Sequence, residues 1–225
     1  MQAGCLRYGI HTGDKPLAPA AFLLGSYVIG SVPFGYWLCK LVKGIDVRQA
    51  GSGNIGFTNV WRVAGPPLAC LVFALDLAKG MVPTLIAHHF LPGNDVWRLL
   101  VGSAAIAGHN WSLFLKFKGG RGVCTTLGVL FALTPAAAAF TFVVWLTMVL
   151  TTRYVSLGSI AGSIAYPAVI LVTHHSTPLV VFSLLAGAAV IARHVPNIKR
   201  LLRGEENKFG RLKGAADRPP TEEQT

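Results

Sequence analysis

Residues 122–152 read GVCTTLGVLFALTPAAAAFTFVVWLTMVLTT and contain no charged side chain over 31 positions. After Arg153, a second run of 39 residues, 154–192, is also free of charge. Each Asp, Lys or Arg costs about 2.5 to 3.5 kcal/mol at the centre of a membrane helix, so such runs are typical of membrane spans. Both runs exceed the roughly 20 residues that one span needs, and both contain a break, at Pro135 and before Pro178. The two runs therefore predict four helices.

Further apolar runs precede these four, and we predict seven helices in all, near 19–41, 66–91, 97–115, 122–133, 135–152, 155–174 and 177–193. The fourth is too short to cross a hydrocarbon core of about 30 Å alone, so it reads as a half-span or re-entrant piece. The composition agrees, because 52% of residues are hydrophobic and 13% are charged, against about 25% charged in soluble domains. We predict an all-α polytopic membrane protein with about seven transmembrane helices.

The basic residues predict the orientation of these helices, since Lys and Arg in short loops mark the cytoplasmic side. They cluster around the first, third and fifth connections and after the last helix, whereas the connections near 92–96, 134 and 174–177 have none. This alternation places the N-terminus outside and the C-terminus in the cytoplasm. The division is then a polar extension at 1–16, an integral membrane domain at 17–200 and a basic cytoplasmic tail at 201–225. The net charge of +11 is explained by topology, and no nucleic-acid partner is expected.

Three polar segments interrupt the helices on the predicted cytoplasmic face: GSGNIGFTN at 51–59, KFKGGRG at 116–122 and RHVPN at 193–197. Backbone N–H groups of a glycine-rich turn, beside a helix start and fixed cations, form a pocket for a phosphate. Gly51-x-Gly53-x-x-Gly56 also matches the dinucleotide fingerprint, but it follows a membrane span and not a strand, so we reject that reading. The three segments together predict a ligand with more than one phosphate, or two phosphorylated ligands.

The order of these motifs resembles the bacterial acyl-phosphate-dependent glycerol-3-phosphate acyltransferases, the PlsY family. The resemblance extends over about residues 22–210 and rests on GSVPFG at 30–35, GSGNIGFTNV at 51–60 with Arg62, DLAKG at 76–80, Gly108-His109, FKGGRGV at 117–123, RYVSL at 153–157, Arg193-His194 and NIKR at 197–200. It implies an inner-membrane enzyme that moves a fatty acyl group from acyl phosphate to the 1-hydroxyl of glycerol 3-phosphate. The products are lysophosphatidic acid and inorganic phosphate. No metal or other cofactor and no obligate protein partner is implied, and the active site faces the cytoplasm.

The resemblance also assigns roles to residues at matching positions. Those it implies for catalysis are Ser52, Asn54, His194 and Asn197. Those it implies for substrate binding are Gly51, Gly53, Thr58, Arg62, Lys118, Gly119, Gly120, Arg121 and Ser159. An acyl phosphate is already activated, so cations and backbone amides that hold two anions close suffice for the transfer.

Some alternatives stay open. The proton acceptor is either a substrate phosphate or His194. The second motif of the family commonly has Lys where this chain has Arg121, which keeps the charge but replaces a compact ammonium with a planar fork. A transporter for phosphate or an organophosphate is the alternative function, although its path needs openings on both faces. A headgroup phosphotransferase is less favoured, because the paired Asp-rich metal motif is missing.

Several residues receive structural interpretations. Asp76 and Lys79, three apart within a span, are expected to form a buried ion pair. His109 either caps its helix or faces the phosphates. Small residues are expected to allow close helix packing, namely Gly30, Gly35, Gly102, Gly158, Gly162, Ser26, Ser31 and Ser163.

Overall fold

A computed structural model describes residues 17–91, 95–173 and 175–210. The predicted extension at 1–16 and the end of the predicted tail, 211–225, lie outside the described residues. The described residues form ten α-helices and no strand: α1 Leu17–Ser31, α2 Phe34–Lys43, α3 Phe57–Ala64, α4 Pro66–Phe90, α5 Asp95–Asn110, α6 Val123–Leu133, α7 Pro135–Thr152, α8 Val155–Val172, α9 Thr177–Arg193 and α10 Val195–Leu202. The predicted all-α class is confirmed.

Among the described residues, four helical stretches are long and apolar enough to cross a membrane: Pro19–Lys43, which joins α1 and α2, and the helices α4, α7 and α8. A fifth candidate is α9 together with α10, which bend by 57° at their junction. The apolar helix α6 is 11 residues long, as expected for a piece too short to span alone. The seven crossings and the orientation of the termini stay predictions.

Most predicted helices are confirmed, and α7 and α9 have the predicted bounds. The prediction of one continuous helix over 19–41 is wrong, because α1 ends at Ser31 and α2 begins at Phe34. Pro33 explains the break, since proline has no N–H to donate and disfavours helical geometry at the residue before it. The ammonium of Lys79 binds the Val32 carbonyl at the break, over 2.8 Å.

Two short helices, α3 and α10, were not predicted. Each has eight residues and begins within one of the polar segments. Two turns provide too little periodicity to be recognised in a sequence, and α10 has Pro196 in its first turn, where proline is tolerated. Both helices carry predicted site residues.

Small residues bring several helices close together. A methyl group added at Gly30 of α1 would collide with the backbone of Ala105 in α5, and one at Gly35 with the carbonyl of Ile55. Ser26 of α1 also donates to the Val101 carbonyl of α5, over 2.7 Å. The predicted close packing is therefore confirmed at these positions.

Two apolar clusters lie at different depths. One packs under the first polar segment and includes Val47, Ile55, Val60 and Val72. The other joins α5 to α9 at the ends that lie far from the polar segments, and its buried members are Leu99, Ile106, Val129, Leu130, Ala137, Ala138, Tyr166, Ile170, Leu179 and Phe182. Between the two clusters the bundle contains a cavity.

Candidate active site

One cavity is lined by residues of eight helices, α3 to α10, and of all three polar segments. It encloses about 1360 Å³ of unfilled space, part of it open to solvent. Its polar end is lined by Ser52, Asn54, Thr58, Arg62, Arg121, Ser156, Ser159, His194, Asn197, Arg200 and Glu206. Its other walls are mainly apolar, with Phe73, Leu127, Leu130, Phe142, Trp145, Tyr166 and Val190. A charged mouth thus continues into a hydrocarbon-lined interior.

Eight of the thirteen predicted site residues line this cavity: Ser52, Asn54, Thr58, Arg62, Arg121, Ser159, His194 and Asn197. The other five, Gly51, Gly53, Lys118, Gly119 and Gly120, are not among the lining residues. The structure therefore brings most of the predicted side chains together. The predicted glycines do not line the cavity, but they lie in the segments that carry lining residues.

The first polar segment is held in shape by Asn59 of α3, which is 1% exposed. Its amide donates to the carbonyls of Val47 and Ala50, and its Oδ1 accepts the N–H of Ser52 over 2.7 Å. Gly51 and Gly53 have positive φ values of 61° and 71°, which other residues rarely adopt. These glycines shape the turn that presents Ser52. Asn59 belongs to the motif at 51–60, but its role in holding the turn was not predicted.

The second polar segment uses its backbone amides differently from the prediction. The N–H groups of Gly119 and Gly120 donate to the carbonyls of Asn110 and His109, over 3.2 and 3.0 Å. Their own carbonyls accept hydrogen bonds from the Arg193 guanidinium. These two amides are therefore engaged within the protein. Arg193 fastens the segment to the end of α9, a role that the sequence analysis missed.

Lys118 of this segment is exposed, whereas Arg121 lines the cavity. Burial lowers the pKa of Arg121 to about 10, with the Glu206 carboxylate opposing that shift and Arg200, Arg62 and Arg193 adding to it. Arg121 stays charged at neutral pH. A cluster of cations that depress one another's pKa favours the binding of an anion.

Glu206 is the carboxylate at this cluster. It forms an ion pair with Arg200 over 2.7 Å and accepts hydrogen bonds from Ser156 and from the Asn197 amide. Burial raises the pKa of Glu206, but the hydrogen bonds from Asn197, Arg200 and Ser156 outweigh it and hold that pKa below its usual value. Glu206 was predicted to lie in the tail and was given no role. The one feature of the sequence that could have pointed to it is an acidic residue within a basic stretch.

The chain after α10 returns across the polar end of the cavity. The Phe209 N–H donates to the Arg153 carbonyl over 2.6 Å, and the Phe209 ring packs against Phe57 and Trp61 of α3. Arg62 also contacts the Asn207 carbonyl at 3.4 Å. Part of the predicted tail, 204–210, therefore belongs to the site.

His194 and Asn197 have defined orientations. His194 is 1% exposed, and its Nδ1 lies 2.8 Å from the Val190 carbonyl, so Nδ1 carries the proton and Nε2 remains available. Because the Asn197 amide nitrogen donates to Glu206, its Oδ1 is turned the other way, and it has no hydrogen-bond partner among the described residues. A buried acceptor of this kind favours a donor from a ligand, such as a hydroxyl.

Asp76 and Lys79 form the predicted ion pair, 2.7 Å apart and 3% and 2% exposed. His109 lies 3.8 Å from Asp76 and hydrogen-bonds Thr125 over 3.1 Å. The His109 ring also fills the space where a side chain at position 120 would lie. His109 therefore supports the second polar segment, and together with Asp76 it also lines the cavity.

The known proteins that are similar to this chain share one description. A family model described as glycerol-3-phosphate acyltransferase matches residues 20–204. The chain is 43% identical over 191 residues to the glycerol-3-phosphate acyltransferase of Desulforamulus reducens, covering 85% of this chain and 95% of the relative. It is 45% identical over 185 residues to that of Aquifex aeolicus, covering 82% and 95%.

Two solved structures have the same fold. The crystal structure of the integral membrane glycerol 3-phosphate acyltransferase PlsY in its glycerol 3-phosphate form matches with a TM-score of 0.82 and 42% identity, covering 85% of this chain and 96% of that one. Its lysophosphatidic acid form matches with a TM-score of 0.80 and 41% identity, covering 85% and 95%. Fold and site together define an integral membrane acyltransferase. The chain belongs to the glycerol-3-phosphate acyltransferase family, whose reaction serves phospholipid synthesis.

Proposed function

We propose that the protein transfers a fatty acyl group from acyl phosphate to the 1-hydroxyl of glycerol 3-phosphate, giving lysophosphatidic acid and inorganic phosphate. The observation that carries this proposal is the single cavity that joins a cluster of arginines to an apolar interior. An acyl phosphate has a charged head, which matches the arginines, and a hydrocarbon chain, which matches the apolar interior. The family and the glycerol 3-phosphate form of the matched structure support the acceptor.

Binding comes first in the proposed mechanism. Arg62 and Arg121 neutralise the two phosphate groups, which otherwise repel each other, and hold the substrates within reaction distance. Ser52, Asn54 and Thr58 contact the acyl phosphate head, and Ser159 contributes a further hydroxyl. Gly51, Gly53, Gly119 and Gly120 act by shaping the segments that carry these groups. Lys118 supplies positive potential near the mouth.

The transfer is a nucleophilic substitution at the acyl carbon. The 1-hydroxyl oxygen forms a bond to that carbon, and the bond from the carbon to the phosphate oxygen breaks. Asn197 Oδ1 accepts the hydrogen bond of the attacking hydroxyl and orients it. The proton passes to a substrate phosphate or to His194 Nε2, and phosphate leaves with the bonding electrons.

We also propose a membrane arrangement with about seven crossings of the inner membrane. In it the N-terminus is outside, and the polar end of the cavity and the C-terminus face the cytoplasm. The distribution of Lys and Arg supports this orientation. It also opens the mouth of the cavity to water, from which the charged glycerol 3-phosphate enters.

The test is a radiochemical assay with purified protein, acyl phosphate and labelled glycerol 3-phosphate, in buffer with a chelator of divalent metals. We expect label to enter a chloroform-soluble product. Parallel reactions with acyl-CoA or acyl carrier protein thioester as donor should give no product. If the thioesters support the reaction and acyl phosphate does not, the proposed donor is wrong.

A second assay separates the transporter alternative. Protein reconstituted in vesicles receives labelled glycerol 3-phosphate without an acyl donor. The proposal predicts no uptake above protein-free vesicles. Uptake without acylation in either assay would overturn the proposed function.

A further inference from the structure

The interior of the cavity continues far along the helices away from the arginines. On α8 it is lined in turn by Ser156, Ser159, Ser163 and Tyr166, which lie on one side of the helix at spacings of three or four, and also by Gly162. Ten residues of α-helix separate the first from the last, a distance of about 15 Å. We call the part of the cavity beyond Ser159 the deep branch.

The deep branch presents an apolar wall although several of its residues have hydroxyl groups. The hydroxyls of Ser163 and Ser183 each donate to the backbone carbonyl three residues earlier, over 2.7 Å. The hydroxyl donors of these serines are therefore occupied, and the small serine side chains leave space in the cavity. Gly162 of α8, which has no side chain, also leaves space in the cavity. The wall suits a hydrocarbon chain and offers few free polar groups.

A polar atom without a partner marks the cavity as a ligand site. Thr126 of α6 lines it and is 8% exposed, and its hydroxyl oxygen has no hydrogen-bond partner among the described residues. Natural proteins seldom leave such a group unpaired. A ligand that extends past Thr126 into the deep branch excludes water from the small residues beyond it.

Tyr166 closes the far end of the deep branch. It is 2% exposed, and its phenol oxygen is 2.9 Å from the Thr134 hydroxyl, at the junction of α6 and α7. Behind Tyr166 lie Ile170 and Phe182 of the deeper apolar cluster, which fill the bundle. A separate cavity that includes Thr134 but not Tyr166 begins on the other side. The Tyr166 and Thr134 pair is thus a wall between two cavities.

We propose that Tyr166 sets the longest acyl chain that the enzyme uses, because the end of the chain stops against its ring. This inference rests on the proposed function, since it takes the acyl group of the donor as the occupant of the deep branch. A chain longer than the branch must bend or leave carbons outside. A large side chain at the end of an apolar pocket discriminates by a factor of about 10 to 200 for each misplaced methylene.

The test compares kcat/KM for a series of saturated acyl phosphates, from dodecanoyl to eicosanoyl, with wild-type protein in lipid nanodiscs. We expect kcat/KM to fall beyond a limiting length. In Tyr166→Ala the limit moves to longer chains, and the ratio of kcat/KM for the first excluded chain to that for the preferred chain rises at least about tenfold. In Tyr166→Phe, which loses the hydrogen bond to Thr134 and keeps the ring, the limit is unchanged.

A second variant covers the case in which Tyr166→Ala fails to fold. Ala186 lines the cavity on α9, whereas Ala188 on the same helix is exposed on the outer surface. Ala186→Leu should shift the preference to shorter chains, and the matched control Ala188→Leu should not. A wild-type profile without a limit, or a folded Tyr166→Ala enzyme that keeps the wild-type limit, would overturn the inference. Where Tyr166→Ala does not fold, an Ala186→Leu profile equal to that of wild type would overturn it. If wild-type protein uses no acyl phosphate at all, it is the proposed function that fails.

Discussion

The first and second polar segments are both rich in glycine, but they contribute different groups to the cavity. In the first, Gly51 and Gly53 form a turn that brings Ser52 into the cavity, and Asn59 holds that turn. In the second, the amides of Gly119 and Gly120 are bonded to the end of α5. Only Arg121 and the residues after it reach the cavity wall. The N–H groups of Ser52 and Gly53 in the first segment are also occupied, by Asn59 Oδ1 and by the Ala50 carbonyl. In both segments a side chain, Ser52 or Arg121, therefore faces the cavity, and these occupied amides shape the backbone.

The largest effect is expected at the first segment. Ser52→Ala removes the hydroxyl that the turn presents to the acyl phosphate, and we expect kcat to fall by about 10² to 10³, as for the loss of one preorganised donor. Ser103→Ala is the matched control, because its hydroxyl binds the Leu99 carbonyl within α5 and does not line the cavity. Equal rates for Ser52→Ala and wild type would remove Ser52 from the mechanism.

A smaller effect is expected for the cation of the second segment. Arg121→Ala should raise KM for glycerol 3-phosphate by about tenfold to a hundredfold, the range for losing a charged hydrogen bond. Arg121→Lys keeps the charge and should stay near wild type. The measurement is initial rate against glycerol 3-phosphate concentration at saturating acyl phosphate. An Arg121→Ala enzyme with an unchanged KM would exclude Arg121 from substrate binding.

The glycines of the second segment should matter through packing. A methyl group at position 120 collides with the His109 ring, so Gly120→Ala should displace the segment and lower kcat/KM by roughly tenfold. Gly25→Ala is the matched control, since nothing lies within 4 Å of the added methyl there. Full activity in Gly120→Ala would show that the segment need not be held in this position.

The smallest effect is expected at Lys118, which is exposed and does not line the cavity. Lys118→Ala should change kcat/KM by no more than about twofold, as for most surface substitutions. A loss as large as that of Arg121→Ala would mean that the second segment closes over the substrate with Lys118 inside.

The apolar helices were predictable from the sequence because charge is so costly in a membrane core. Proline and charged residues also indicated most of their ends, although Pro33 was not recognised as a break. The resemblance pointed to His194, which lies between α9 and α10, and to Asn197, which α10 brings to the cavity. It gave no indication of which backbone amides are free, because that depends on contacts between distant residues such as Gly119 and Asn110. Glu206 was missed for the same reason, since its partners Ser156 and Asn197 lie on two other helices.

The central claim is that both substrates occupy one cavity, with their phosphates at the arginines and the acyl chain in the deep branch. Its most direct test is a structure of the protein with glycerol 3-phosphate and a nonhydrolysable acyl phosphonate bound together. We expect one phosphate beside Arg121, the 1-hydroxyl within hydrogen-bond reach of Asn197 Oδ1, and the end of the chain against Tyr166. Density for the acyl chain on the outer surface of the bundle, with the deep branch empty, would contradict the account.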